Sequence, residues 1–530
     1  MTEAFGATDS TALAEPSGTP TTRSSPATLQ ADLAQSLATP RPPGRPPAVL
    51  KFFALTRLSA ADQDLPTPPA GPLRTVCSGP RERHRRPDAT RRADVRGRDY
   101  AEPGEEDGVL LRFRVANVRS LRDEQELSFI APEGEGESDG DGSANPVELA
   151  GGGTVAVFPL LAVFGANASG KSNVLSALGD MRHAVLNSYA RWASYEGVPR
   201  HAFALNPKSE DEPSFFEVDI VIDSVRWTYG FELGSDRVES EWLHSYPRGR
   251  RQEWLDRDAS RTEVYKWPGG RVRDRSQLVR RTRPNALLLS TAGTDNHPQL
   301  SPLFHWFRRN LWSIDPEAQR HEREAFTTRE LAGDRAQRIQ ELLRVADLGI
   351  TGASVVQEGP GKSSVKLTHR SAGGDVAFDW SEESYGTRSW FALLGPLLLA
   401  LDQGAVLLID ELDASLHSRF AAEVVRLFHD PLANPRGAQL VFTSHDATVL
   451  TTPSGGRLLD PGQVWLTQKD KDGATELYPL TDAEPGEEED LTQSYLAGTF
   501  GGVPSLLEGQ IARRLATARE TGAYEGAGQG

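Results

Sequence analysis

The chain has 530 residues, is 38% hydrophobic, contains one cysteine (Cys77) and carries a formal charge of −16 at pH 7. A single cysteine excludes an intramolecular disulfide framework and a cysteine-built zinc site, and it suits a reducing, cytoplasmic setting. The acidity argues against a generally basic nucleic-acid-binding protein, and no apolar run approaches the roughly 20 residues of a membrane span; the longest, Phe391 to Leu401, is interrupted by Gly395 and Pro396.

Residues 1–108 are rich in Pro, Ala, Thr, Ser and Arg. Such composition buries too little apolar surface to offset chain entropy, so a disordered tail is predicted. Val109 is compatible with a GTG start, which leaves 1–108 as either a real tail or a misassigned start. Order is expected from Val109. Val109–Val115 has strand composition, Glu126–Ile130 reads as its hairpin partner, and Asn117-Val118-Arg119-Ser120 lies between them. A Gly/Glu/Asp/Ser loop follows over Glu133–Asn145. The apolar run Val155–Phe164 then reads as one strand, followed by a helix from Asn173 to about Tyr189. Phe215–Ile222 and Arg226–Leu233 flank Asp223-Ser224 as a hairpin, and Arg237–Ser245 extends an antiparallel sheet. Residues 246–350 form a mixed insertion with a helix over Thr328–Ala346. Its arginine runs, Arg271/Arg273/Arg275 and Arg280/Arg281/Arg283, are read first as solvated surface and second as a nucleic-acid or partner contact. The last third returns to α/β order, with strands near Ser363–Leu367, at Ala405–Ile409 and at Gln439–Thr443. Helices are expected over Thr387–Leu401 and Ser415–His429. Residues 501–530 are expected to be a C-terminal helix and flexible tail. There is no heptad or fixed-period repeat.

Chemistry concentrates in a few phrases. Gly165-Ala166-Asn167-Ala168-Ser169-Gly170-Lys171-Ser172 is a complete G-x-x-x-x-G-K-S loop between a strand and a helix, in a chain with eight lysines against fifty arginines. Glycines let consecutive backbone N–H groups close on phosphate oxygens, and the helix N-terminus adds positive potential. Lys171 would reach the β- and γ-phosphates, and Ser172 would ligate Mg²⁺. Ala405–Ile409 ends in Asp410-Glu411. Two acids there would also serve to cap a helix. Beside a phosphate loop they read as a Mg²⁺-holding aspartate and a general base. Asp413 follows in Leu412-Asp413-Ala414-Ser415. His445, at the end of the next strand, is placed to sense a γ-phosphate. Glu383-Ser384-Tyr385-Gly386-Thr387-Arg388 precedes an apolar helix and taken alone is an N-cap.

Together these phrases resemble ABC-type ATPases, and within them the bacterial "AAA family" stand-alone ATPases related to the ATPase half of overcoming-lysogenization-defect proteins and to phage-defence ATPases. The Asn117–Ser120 phrase is similar to the opening strand of SMC-like and recombination ATPases. The resemblance implies an α/β P-loop NTPase over about 109–500, with an antiparallel β-subdomain. It implies nucleotide contacts at Gly165–Asn173 and at Arg119. It also implies a signature loop, Ser384, Gly386 and Thr387, acting across a head-to-tail ATP-sandwiched homodimer, and a D-loop at Asp413. Catalysis would rest on Lys171, Glu411 and His445, with ATP and Mg²⁺ at Ser172 and Asp410. The output would go to a separate effector or nuclease, in anti-phage defence. A DNA-clamping repair ATPase and an ATP-gated scaffold with negligible turnover are the alternatives. Two departures stand out: no Q-loop glutamine can be placed, and Tyr385 stands where transporters have glycine.

Overall fold

The computed structural model describes residues 108–132, 144–314, 319–346, 349–359, 362–414, 416–452, 454–504 and 509–517. The expected N-terminal tail, but for Gly108, and most of the 133–145 loop lie outside them. In chain order the strands are β1 (Gly108–Ala116), β2 (Gln125–Ser128), β3 (Asn145–Glu148), β4 (Thr154–Val157), β5 (Leu160–Gly165), β6 (Ser214–Ile222), β7 (Val225–Leu233), β8 (Val238–Ser245) and β9 (Gln252–Asp258). They continue as β10 (Tyr265–Lys266), β11 (Leu311–Ile314), β12 (Ile350–Gly359), β13 (Lys362–His369), β14 (Val376–Asp379), β15 (Val406–Ile409), β16 (Gln439–Thr443), β17 (Val464–Lys469) and β18 (Thr475–Pro479). The helices used below are α1 (Lys171–Asn187), α2 (Arg275–Arg281), α3 (Leu288–Thr294), α4 (Ser301–Arg309), α5 (Arg320–Leu331), α6 (Ala336–Val345), α7 (Tyr385–Gln403) and α8 (Ser418–His429).

A six-stranded sheet in the order β11-β15-β16-β5-β17-β18 is parallel except at β18. Every residue of β5, β15 and β16 is buried, as expected of parallel strands covered on both faces. Alternation along these strands feeds two cores. Leu161, Val163, Val406, Leu408 and Val441 face the core shared with α1, α3, α4 and the antiparallel sheet. Leu160, Phe164, Leu407, Ile409 and Phe442 face the core made with α6, α7 and α8.

The second sheet, β10-β9-β8-β7-β6-β1-β2, is antiparallel. Asp223 and Ser224 both have positive φ, 51° and 59°, which is the two-residue hairpin turn that suits strand twist. One face buries Phe113, Val218, Tyr229, Phe231 and Leu243. The other carries charges that neutralise one another. Asp219, fully buried, accepts from Arg112 (2.6 Å) and lies 3.4 Å from Arg226. Gln439 joins the two sheets. Its amide donates to the Leu110 carbonyl (2.9 Å) and accepts the Leu110 N–H (2.7 Å), where a register shift interrupts β1.

Two expected elements break. The Val155–Phe164 run is not one strand: Thr154–Val157 pairs with β3, and a new strand starts at Leu160. Pro159 has no N–H for a ladder, and the Phe158 N–H donates to Phe129 instead. The Thr328–Ala346 helix is two helices, α5 and α6, separated by Ala332-Gly333-Asp334-Arg335, where glycine carries a helix-interior penalty.

Candidate functional site

β15, β16 and β5 are neighbours and parallel, so their C-terminal ends meet at one edge. The phosphate loop leaves β5 there, Asp410-Glu411 leaves β15, and Ser444-His445 leaves β16. This is where open α/β sheets bind ligands. Gly170 has φ 115°, and a Cβ would collide with the Thr475 hydroxyl and come within 3.0 Å of Ser120 Oγ, so only glycine fits. The loop wall is built by distant residues. Ser169 Oγ lies 2.6 Å from Thr467 Oγ1, and Thr475 Oγ1 donates to Ser169 O at 2.7 Å. Asn173 Nδ2 donates to Ser120 Oγ at 2.6 Å.

Lys171 is buried, and its ammonium donates to the carbonyls of Gly165 (2.8 Å) and Ala166 (3.3 Å). Burial lowers its pKa, opposed by the nearby carboxylates of Glu411, Asp410 and Asp413. Its Nζ also lies 3.2 Å from His445 Nδ1. An ammonium can only donate, so Nδ1 accepts and Nε2 carries the imidazole proton. Nε2 faces Glu411 Oε1 at 3.3 Å. Lys171, His445 and Glu411 thus form one contact chain across the mouth of the loop. Asp413 accepts the His445 N–H (3.2 Å), and Thr443 Oγ1 donates to Asp410 Oδ1 (2.7 Å) while accepting the Glu411 N–H (2.6 Å).

Among the described residues Ser384 and Thr387 make no hydrogen bond to this cluster. Ser384 caps α7, its Oγ accepting the Thr387 N–H at 3.1 Å and lying 2.8 Å from Thr387 Oγ1. The buried Glu383 carboxylate accepts from His369 Nε2 at 2.8 Å. Arg119 does not reach the loop: its guanidinium donates to Asp180 at 2.9 and 3.2 Å, nine residues along α1 from Lys171 and therefore roughly 13 Å up the helix. Its neighbour Ser120 is the residue that touches the loop.

A family model described as "AAA domain, putative AbiEii toxin, Type IV TA system" matches residues 160–451. The chain belongs to this AAA-domain family. The match spans every loop residue from Gly165 to Asn173, the acid pair and His445, and membership supports a nucleotide-binding ATPase. A search of curated proteins finds no match. Among solved structures the chain is similar to cbiO1 from Clostridium perfringens, part of the ABC transporter complex cbiONQ. Identity is 11%, coverage is 72% of this chain and 94% of that one, and the TM-score is 0.25, too low to carry any argument. For this AAA-domain protein no helix among the described residues is long and apolar enough to cross a membrane.

The donor set fits a nucleotide with Mg²⁺. Among the described residues no group of three or more His, Cys, Asp or Glu forms a metal cage. Mg²⁺ needs none, because one or two protein ligands plus substrate phosphates suffice. Ser172, at the start of α1, and Asp410, held by Thr443, are side chains of the kind that would serve. Sequence reasoning assigned no role to Ser120, Thr443, Thr467 or Thr475, although Ser120 and Thr443 fell inside singled-out phrases.

Proposed function

We propose that this AAA-domain protein is a Mg²⁺-dependent ATPase, that two copies sandwich ATP head to tail, and that the dimer signals to a separate effector in anti-phage defence. The observation that carries the ATPase is the Lys171–His445–Glu411 contact chain at the phosphate loop. Lys171 replaces its carbonyl contacts with phosphate oxygens. Mg²⁺, when bound, neutralises charge on those phosphates, with Ser172 and Asp410 as its protein ligands. Glu411 takes a proton from the attacking water as that oxygen bonds the γ-phosphorus and the bond to the ADP oxygen breaks. His445, with its proton on Nε2, orients Glu411. Within one copy Ser384 and Thr387 bond each other, which leaves the γ-phosphate side of the loop to a second copy in this reading. Ser384, Gly386 and Thr387 of a second copy complete it.

Steady-state turnover and nucleotide binding test this. Lys171→Ala should abolish ATP binding. Glu411→Gln should keep binding but lose about 10²–10⁴-fold in kcat, the usual worth of a general base. Equal turnover in wild type and Glu411→Gln would remove Glu411 from its role. Negligible turnover in the wild type would favour the ATP-gated scaffold.

A further inference from the structure

Arg271, Arg273, Arg275 and Arg280 are all exposed, and among the described residues none is paired with a carboxylate. Elsewhere among the described residues some exposed arginines pair with acids, as in Arg237–Glu239, Arg344–Glu341 and Arg426–Glu423, and others such as Arg191 and Arg370 do not. What sets this segment apart is density: four such guanidinium groups fall within ten residues of a chain whose net charge is −16. β10 runs antiparallel to β9, so the chain after it heads back toward the β8–β9 turn, which exposes Arg248 and Arg250. The one carboxylate within the segment 271–283 is Asp274. Two acids of the flanking segments are already taken: Asp295 pairs with Arg281 and Glu253 with Arg251.

The backbone that carries these groups is pinned. Val272 and Leu278 are buried. The Arg273 N–H donates to Gln299 Oε1 (2.9 Å), and Gln299 Nε2 donates to the Arg271 carbonyl (2.9 Å). Beyond α2, Arg283 donates to the Ser188 carbonyl at 3.1 Å. That carbonyl lies at the C-terminal end of α1, where helix-dipole potential favours a cation.

We infer that this arginine ridge docks the phosphate backbone of a nucleic acid. No large hydrophobic residue is exposed between residues 247 and 283. A protein partner would call for an apolar interface centre and a membrane for an apolar wedge. Phosphate contacts need neither, and they carry affinity without sequence specificity.

The test uses the full chain without nucleotide, so it is independent of the ATPase reading. Binding of a labelled mixed-sequence DNA duplex is followed by fluorescence anisotropy from 50 to 200 mM salt. Four phosphate contacts give a slope of about −3.6 in log affinity against log salt, about a hundredfold loss over that range. The Arg271→Gln/Arg273→Gln/Arg275→Gln/Arg280→Gln protein should lose that slope and weaken at least about tenfold at 50 mM salt, with melting temperature and basal turnover unchanged. The corresponding four lysine substitutions should keep binding. Should the quadruple glutamine protein not fold, each single Arg→Gln should lower the slope by about 1. No wild-type binding at 50 mM salt overturns the proposal, as does an unchanged slope in the glutamine proteins. Capture on phosphatidylserine vesicles with none on the duplex also overturns it.

Discussion

Glu411 has φ 51°, a left-handed conformation that costs a non-glycine residue about 1–2 kcal/mol. Thr443 holds it there by accepting the Glu411 N–H while donating to Asp410. Thr443→Val keeps the shape but strands both groups. We expect it to lower unfolding free energy by about 1–3 kcal/mol, the usual cost of orphaned polar groups, and to lower kcat more than it raises KM. Urea melts and turnover together check this; an unchanged kcat would show that Glu411 aims itself. On the antiparallel sheet, burial, with the Arg251 charge beside it, pushes His244 down to about 4 from 6.5. The unfolded chain therefore binds the proton more readily between these values, and stability falls as pH drops from 6.5 toward 4, by as much as about 3 kcal/mol. In His244→Gln the loss between pH 7 and pH 5 should be smaller. Equal losses in both proteins would remove His244 from the acid response.

At the level of elements, α7 carries the Ser384–Thr387 segment at its N-terminal end. Pro396 interrupts it, which leaves the Ala392 carbonyl without its i+4 donor. The buried Thr327 hydroxyl of α5 supplies a replacement donor at 3.4 Å, while accepting the Gly395 N–H at 3.1 Å. Thr327→Val should cost about 1–2 kcal/mol in a urea melt; no change would mean that α7 tolerates the proline unaided. The N-terminal end of α7 is braced by the three-stranded sheet β12-β13-β14 through His369, which also stacks on Phe378 at 4.8 Å. Ser384→Arg, in the loop this contact supports, should block turnover and leave ATP affinity largely intact. Coupled loss of ATP binding would place the loop in its own nucleotide site rather than its partner's.

For the whole molecule, the composite site proposed above would require a dimer that ATP brings together. Glu411→Gln with ATP should double the mass from 57.8 kDa by light scattering, and Lys171→Ala should not. A strictly monomeric protein with full turnover contradicts the head-to-tail arrangement. Within one copy the parallel sheet is packed on both faces, which ties β5, β15 and β16 into one close-packed unit.

Several features were legible from residues alone because the physics is local. Consecutive backbone groups cradle phosphate, so Gly165–Ser172 can be read as a string. β15 announces itself as a short, wholly apolar run and β16 as an apolar centre between Gln439 and Thr443, and the acids at the end of one and the histidine at the end of the other mark the same edge. The Asp223-Ser224 hairpin was likewise set by two adjacent residues. The tertiary structure alone decided which residues line the loop. Ser120, Thr467 and Thr475 come from segments about 50 to 300 positions away, and hydroxyls of their kind recur throughout the chain. It also split the runs at Pro159 and Gly333, turned Arg119 toward Asp180, and paired Glu383 with His369. Periodicity tells which face a side chain takes, but neighbours across sheets follow from strand order, which no local pattern encodes.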